Sequence, residues 1–190
     1  MPAGSHTMTQ FPTHLPTQFP TGIRTAQAIG LTGAAYLAGN IAAYSFASIP
    51  ALQTAQAVYS APASLLAKQW RDMYNAGKTQ NPPIAALSAA AFAYLAYAIH
   101  SGKGAAATHA VLAPKYAVEL YAAAAALTAG IVPWTLAVMR GTNKALQGVA
   151  DEEGKSDDGE VKELLKRWSV LNAIRGALPL LGAVAGFLAL

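Results

Sequence analysis

Between Arg24 and Lys68, between Lys78 and Lys103, and between Glu119 and Arg140 the chain carries no charged side chain. A fourth stretch, Trp168 to Leu190, contains one, Arg175, and is otherwise apolar to its last residue. A helix lying on a soluble core shows charges every few residues along one face, and these runs show none. A hydrocarbon layer of ~30 Å takes ~20 helical residues at about 1.5 Å each. The pattern therefore predicts an all-α membrane protein, a bundle of four transmembrane helices over about 25–49, 83–100, 116–139 and 168–190. The first span ends at Pro50 and carries Gly30, Gly33, Ala34, Ala38 and Gly39, small residues that let helices approach closely. Ala51 to Gly77 has helical propensity but ends in Lys68, Gln69, Arg71 and Asp72. It reads as an extra interfacial or re-entrant helix between spans one and two, with Trp70 and Tyr74 one turn apart at headgroup depth. Asn81-Pro82-Pro83 opens span two, and Gly130 with Pro133 predicts a kink in span three. Arg140 to Arg167 reads as a hydrophilic loop whose acidic clusters, Asp151-Glu152-Glu153 and Asp157-Asp158, are solvated.

The division is thus a tail over 1–21 and a membrane domain over 22–190. The tail holds Pro, Thr and Gln without an aliphatic run and is expected to be disordered. Its opening Met-Pro-Ala-Gly-Ser-His-Thr-Met reads in part as an expression scar, with Met8 the natural start. Composition agrees with the bilayer: 12% of residues are charged, against about 25% in soluble domains, which argues against an Ala-rich soluble bundle. The net charge of +4 does not point to nucleic acid, because the basic residues flank apolar spans rather than form a patch with interleaved aromatics. If Ala51 to Gly77 stays on one side, then Lys68, Arg71, Lys78, Arg140, Lys144, Lys155, Lys162, Lys166 and Arg167 share a face, and only Arg24, Lys103 and Lys115 lie opposite. The positive-inside rule makes the basic face cytosolic and puts both termini on the other side of the membrane. Lipids are the expected surroundings, and an oligomer is left open.

Polar side chains inside spans are expensive and each is a functional hypothesis. Trp168, Asn172 and Arg175 recur at i, i+4 and i+7, one stripe of span four. Asn40 in span one and Asn143 at the exit of span three are placed to meet that stripe. Trp70 and Tyr74 offer rings that line a cavity or anchor in headgroups. The plainer alternative for Arg175 and Asn172 is that they tie helices together through backbone carbonyls, and for Trp168 that it is an interface anchor. Glu119 and His100 read as solvated helix ends. No Cys is present, which excludes disulfides and thiolate chemistry. No spaced His and carboxylate set on one helix face supports a metal, and no facing His pair supports haem; His6 and His14 fall in the tail, while His100 and His109 flank a glycine-containing loop. Phosphate-binding and hydrolase motifs are missing.

Three motifs in order, Lys68-Gln69-Trp70-Arg71-Asp72-Met73-Tyr74-Asn75-Ala76-Gly77, then Val132-Pro133-Trp134-Thr135-Leu136-Ala137-Val138-Met139 leading to Thr142-Asn143-Lys144-Ala145-Leu146, and Arg167-Trp168-Ser169-Val170-Leu171-Asn172-Ala173-Ile174-Arg175, resemble the fungal anthrone oxygenase-like membrane family. The resemblance implies a small four-span protein that inserts oxygen into a reduced polyketide anthrone to give an anthraquinone, with a lipophilic aromatic polyketide as substrate. An anthrone enolate is electron-rich enough to react with O2 as cosubstrate with no cofactor, haem or copper at His100 being the alternative. In that setting Arg175 and Asn172 are expected to stabilise the enolate oxygen, Tyr74 or a water on Asn143 to relay the proton, and Trp70, Trp168 and Asn40 to bind the flat rings. The competing class is a non-catalytic binder, transporter or assembly subunit in which the stripe only packs the bundle.

Overall fold

A computed structural model describes residues 21–102, 113–151 and 157–190. The tail, Lys103, His109, Glu152, Glu153 and Lys155 lie outside them. Among the described residues every regular element is helical: α1 (Thr21–Ala43), a π-helical turn (Tyr44–Ser48), α2 (Ile49–Tyr59), α3 (Ala63–Ser101), α4 (Ala117–Ala129), α5 (Ile131–Ala137), α6 (Arg140–Asp151) and α7 (Asp158–Leu188). Three helical stretches, Ala63–Ser101, Ala117–Ala137 and Asp158–Leu188, are long and apolar enough to cross a membrane.

Several boundaries differ from the expectation, each for a local reason. The first helix does not end at Pro50 but passes through the π-turn into α2, where Pro50 occupies the first turn, a position that tolerates its missing N–H. In the π-turn Ile49 N donates to Tyr44 O. The next bond in that register would come from Pro50 to Ser45 O, and since proline cannot give it, the Ser169 hydroxyl donates to Ser45 O instead, at 3.0 Å. The chain reverses at Ser60, whose φ of 55° is left-handed, and Pro62 leads into α3. Asn81-Pro82-Pro83 begins nothing: α3 runs through both prolines for 39 residues. Neighbouring helices hold its flanks there, Asn40 Nδ2 donating to Asn81 Oδ1 at 2.8 Å and Gln80 donating to the Tyr36 hydroxyl. Ala51 to Gly77 is therefore not a separate helix; its residues are divided between α2 and the first half of α3. The interruption expected at Gly130 and Pro133 is present, with Gly130 N shared between Ala126 O and Leu127 O.

The presumed solvated loop after Arg140 is mostly structure. Helix α6 is strongly amphipathic and buries Thr142, Asn143, Leu146 and Ala150, while α7 starts at Asp158 and buries Val161 and Leu165. Asp157 caps α7, its Oδ1 accepting from Gly159 N at 2.9 Å, and Asp151 pairs with Arg71 at 2.6 Å. Two large packed regions result, beside a smaller one of Leu37, Ile41, Ala85 and Ile131. A lower one gathers Ile23, Ala26, Ala34, Phe92, Leu95, Tyr121 and Ala124, ringed by exposed Leu87, Tyr97, Leu181, Phe187 and Leu188. An upper one gathers Ile49, Leu66, Trp70, Met139, Leu146, Val161, Leu165 and Trp168, ringed by exposed Lys144, Lys162, Lys166 and Arg167. Helix α3 is about 58 Å long and α7 about 46 Å at 1.5 Å per residue, so both overshoot a ~30 Å hydrocarbon layer and carry the upper region on their excess length.

Candidate active site

Beside the upper region the bundle opens into a cleft with a cavity of about 130 Å³. The π-turn contributes Tyr44; α3 contributes Tyr74, Gly77, Lys78, Asn81 and Pro82; α5 contributes Val132, Thr135 and Leu136; α7 contributes Trp168 and Arg175. Positions 74, 77, 78 and 81 share one face of α3 at helical spacing. The opening has a cause in the sequence. Helix α4 packs on both α3 and α7, whereas α5, beyond the break at Gly130, keeps α7 as its main partner and leaves a gap toward α3. Val132 and Leu136 on that side are exposed.

Arg175 is 9% exposed. Its Nη1 donates to Thr135 Oγ1 at 3.0 Å, and its Nε is buried without a partner. Among the described residues the one ion pair is Arg71 with Asp151, and no carboxylate lines the cleft. A buried cation ordinarily comes with an anion; here the polar side chains that line the cleft with it are Thr135, Tyr44, Tyr74, Asn81 and Lys78. The depth of this layer follows from the packing below it. Phe92 lies against both Gly30 and Gly186, and counting eleven residues up α3 and α7 from those contacts reaches Asn81 and Arg175, both about 16 Å above the ring. The Asn40 to Asn81 bond at 2.8 Å lies in the same layer.

The expected site residues separate into lining and supporting groups. Arg175, Tyr74 and Trp168 line the cleft. Trp70 does not: it is fully buried, stacks on Tyr74 with centroids 5.1 Å apart, and meets Trp168 edge-on at 5.8 Å, so it fixes two wall residues instead of touching a ligand. Asn143 also stands behind the wall, its Oδ1 accepting from Trp168 Nε1 at 2.9 Å; that oxygen orients the indole. Asn172 is not the enolate donor expected of it, because its Nδ2 already donates to Ile41 O at 2.9 Å and to Ser45 Oγ at 2.8 Å. Two N–H bonds are all that a carboxamide nitrogen has, and they lock α7 to the end of α1 and to the π-turn. Asn40 lies on α1 behind Asn81. His100 sits in the last turn of α3, and Glu119 in the first turn of α4, far from the cleft.

Tyr44, Gly77, Asn81 and Thr135 complete the wall and were missed by the sequence reading. Tyr44 had one legible signal, its place one turn after Asn40 and just before Pro50. Gly77 admits it: a Cβ there would stand 3.2 Å from Tyr44 Cε2. Thr135 is three residues beyond Val132 within a motif already singled out, and its hydroxyl donates to Ile131 O at 2.7 Å while accepting from Arg175. The wall is therefore aromatic and aliphatic over most of its area, with donors at Arg175, Asn81, Lys78 and two phenols. Such a slot suits a flat aromatic molecule carrying an oxygen that becomes negative.

A family model described as anthrone oxygenase matches residues 70–185, which include the cleft residues of α3, α5 and α7. The chain is 37% identical to the anthrone oxygenase encC of Aspergillus fumigatus over 160 residues, 76% of this chain and 81% of that protein. It is 31% identical to the anthrone oxygenase tpcL of the same fungus over 65% of this chain and 70% of that one, and 30% identical to the noranthrone monooxygenase of Aspergillus flavus over 67% and 56%. No solved structure matches the chain. With a cleft of this chemistry inside the matched region and relatives aligned over most of their length, the chain belongs to the anthrone oxygenase family.

Proposed function

We propose that this chain oxidises a reduced polyketide anthrone with O2 to the anthraquinone, without a cofactor, in the cleft between α3, α5 and α7. The observation that carries the reading is Arg175, a buried guanidinium with a free Nε and no carboxylate partner among the described residues, at the wall of an aromatic slot. The anthrone methylene lies between two aryl rings and across the central ring from the ketone, so removing its proton places negative charge on the ketone oxygen. Arg175 receives that oxygen, a fixed donor in a site of low dielectric being most effective where charge develops. Trp168 covers the rings, and Tyr74, held flat against Trp70, takes the methylene proton as it hands its own through Tyr44 to solvent at the open cleft. The enolate then gives one electron to O2, the resulting superoxide couples to the carbon radical, and the peroxide takes a proton. Loss of the remaining C–H proton with cleavage of the O–O bond releases water and leaves the second carbonyl. One anthrone and one O2 give one anthraquinone and one water.

The same reading sets the protein in the endoplasmic reticulum membrane with four spans, α1 and the three apolar stretches Ala63–Ser101, Ala117–Ala137 and Asp158–Leu188, the basic head cytosolic and both chain ends lumenal. Twenty residues up α3 from Ser101 reach Asn81, about 30 Å, which supports placing the cleft at the headgroup boundary, with Lys78 a turn higher and Val132 and Leu136 toward lipid. A lipophilic substrate enters from the bilayer side, and O2, which is also lipophilic, follows the same route. Purified protein treated with a chelator and shown by metal analysis and absorbance to hold neither metal nor haem should consume oxygen with a simple anthrone, one O2 per anthraquinone. Activity that disappears with the metal and returns on its addition would overturn the cofactor-free mechanism.

A further inference from the structure

Two side chains in the cleft hold a buried donor with nothing to bond. Arg175 Nε is one, and Asn81 Nδ2 is the other. Asn81 is 3% exposed and lines the cleft. Its carboxamide is held from behind, since Asn40 Nδ2 donates to Asn81 Oδ1 at 2.8 Å. With the oxygen so engaged, the nitrogen is fixed on the other side, where Gly77 leaves room: a Cβ on Gly77 would stand 3.5 Å from Asn81 Nδ2. A pair that only joined α1 to α3 would need one N–H and one oxygen, and nothing in that role requires the second amide to keep its N–H groups buried and unmatched. The layer counting above puts Asn81 and Arg175 at one depth on helices α3 and α7, on walls of the same cleft.

We infer that Asn81 is a second catalytic donor, whose Nδ2 binds the enolate oxygen together with Arg175, and that Asn40 is the positioning residue that aims it. The inference rests on the anthrone reading of the cleft. The guanidinium supplies charge and the neutral amide supplies direction, so that the oxygen is fixed as its negative charge forms and the methylene opposite is held toward the phenols. Asn81 replaces Asn172, whose N–H groups are spent on Ile41 O and Ser45 Oγ.

The test follows enolate formation apart from the oxygen step. Under anaerobic conditions in deuterated buffer, exchange of the anthrone methylene protons is followed by NMR with parent, Arg175→Gln and Asn81→Leu proteins, and aerobic kcat and KM are measured beside it. Loss of one oxyanion donor typically costs about a hundredfold in rate. Asn81→Leu is expected to slow both exchange and kcat about that much with KM little changed, the signature of a contact made as charge develops. The double variant Asn40→Leu/Asn81→Leu replaces the whole pair by apolar contact and leaves no unmatched partner, so it decides the matter where the single variant does not fold; the same slowing is expected. Parent-like exchange in either folded variant, with Arg175→Gln slow, overturns the role of Asn81 and leaves the anthrone reading standing. A parent protein that neither exchanges the methylene nor consumes oxygen overturns both.

Discussion

Gly77 separates what the fold needs from what the cleft needs. In the middle of α3 a glycine is worth about 1 kcal/mol less than alanine to the helix, so Gly77→Ala would stabilise an otherwise indifferent position. The new Cβ would stand 3.2 Å from Tyr44 Cε2 and 3.5 Å from Asn81 Nδ2. The first contact is tight, and the Tyr44 ring gives by a few tenths of an ångström because one side of it faces the cavity. The helix gain and the contact cost roughly cancel, and the melting temperature in detergent should move by no more than about 4 °C, the shift that ~1 kcal/mol produces in a chain of this size. Activity should not cancel. A misplacement of 1 Å at a reacting group costs about a hundredfold, so a shift of a few tenths should lower kcat/KM roughly three- to tenfold. Gly77→Leu pushes a branched side chain into the slot and should remove at least about 99% of turnover, by the same scale, while helical circular dichroism is retained. The assay is the rise of anthraquinone absorbance beside a thermal melt of the same sample. A Gly77→Leu protein that turns over anthrone like the parent, or a Gly77→Ala protein that melts far below it with full activity in what survives, would refute the placement of the cleft.

The other expectations concern packing and placement. Gly30 and Gly186 meet the Phe92 ring from two helices, where Cβ atoms would approach it to 2.7 and 2.5 Å; either glycine to alanine should cost about 1–3 kcal/mol, and Phe92→Leu should recover part of it in a double-mutant melt, additive losses contradicting the shared seat. Trp168→Phe leaves Asn143 Oδ1 buried without its donor, a loss of about 1–3 kcal/mol seen in the melt together with slower turnover; an unchanged melt would mean that the bond contributes nothing. The protein should stay with membranes after carbonate extraction, and a glycosylation acceptor inserted near Gly154 should remain unmodified, modification in the lumen reversing the proposed orientation.

The charge-free runs made the helical membrane class legible, since the absence of a polar face is a property of composition alone. Helix ends were less legible because the usual stops do not stop here. Pro50, Pro82 and Pro83 read as boundaries, but each helix carries on past them: the Ser169 hydroxyl donates to the Ser45 carbonyl that Pro50 leaves free, and Asn40 ties the Asn81 side chain beside Pro82 to α1. Arg140 to Arg167 looked like loop because its charges are dense, although Leu146, Val161 and Leu165 recur at spacings that bury one face of α6 and of α7. Within the site, the stripe Trp168, Asn172 and Arg175 was visible from helical period, and the division of labour within it was not. Whether Asn172 donates into a cavity or into the π-turn depends on an i→i−5 register that has no clear mark in sequence. Tyr44 and Asn81 escaped for a related reason: their role comes from facing Arg175 across helices distant in the chain.

Oxygen uptake by Arg175→Gln, beside parent and Arg175→Lys, tests the central claim most directly. The three proteins are compared as folded, monodisperse detergent samples, with anthrone saturating and anthraquinone quantified in the same cuvette. Removing the guanidinium should cost about 3 kcal/mol of transition-state stabilisation, close to a hundredfold in kcat, and Arg175→Lys, which keeps charge but loses the planar fork, should fall between. A folded Arg175→Gln protein that consumes oxygen at the parent rate, with only its melting temperature lowered, would show that the buried guanidinium holds helices together and that the chemistry lies elsewhere.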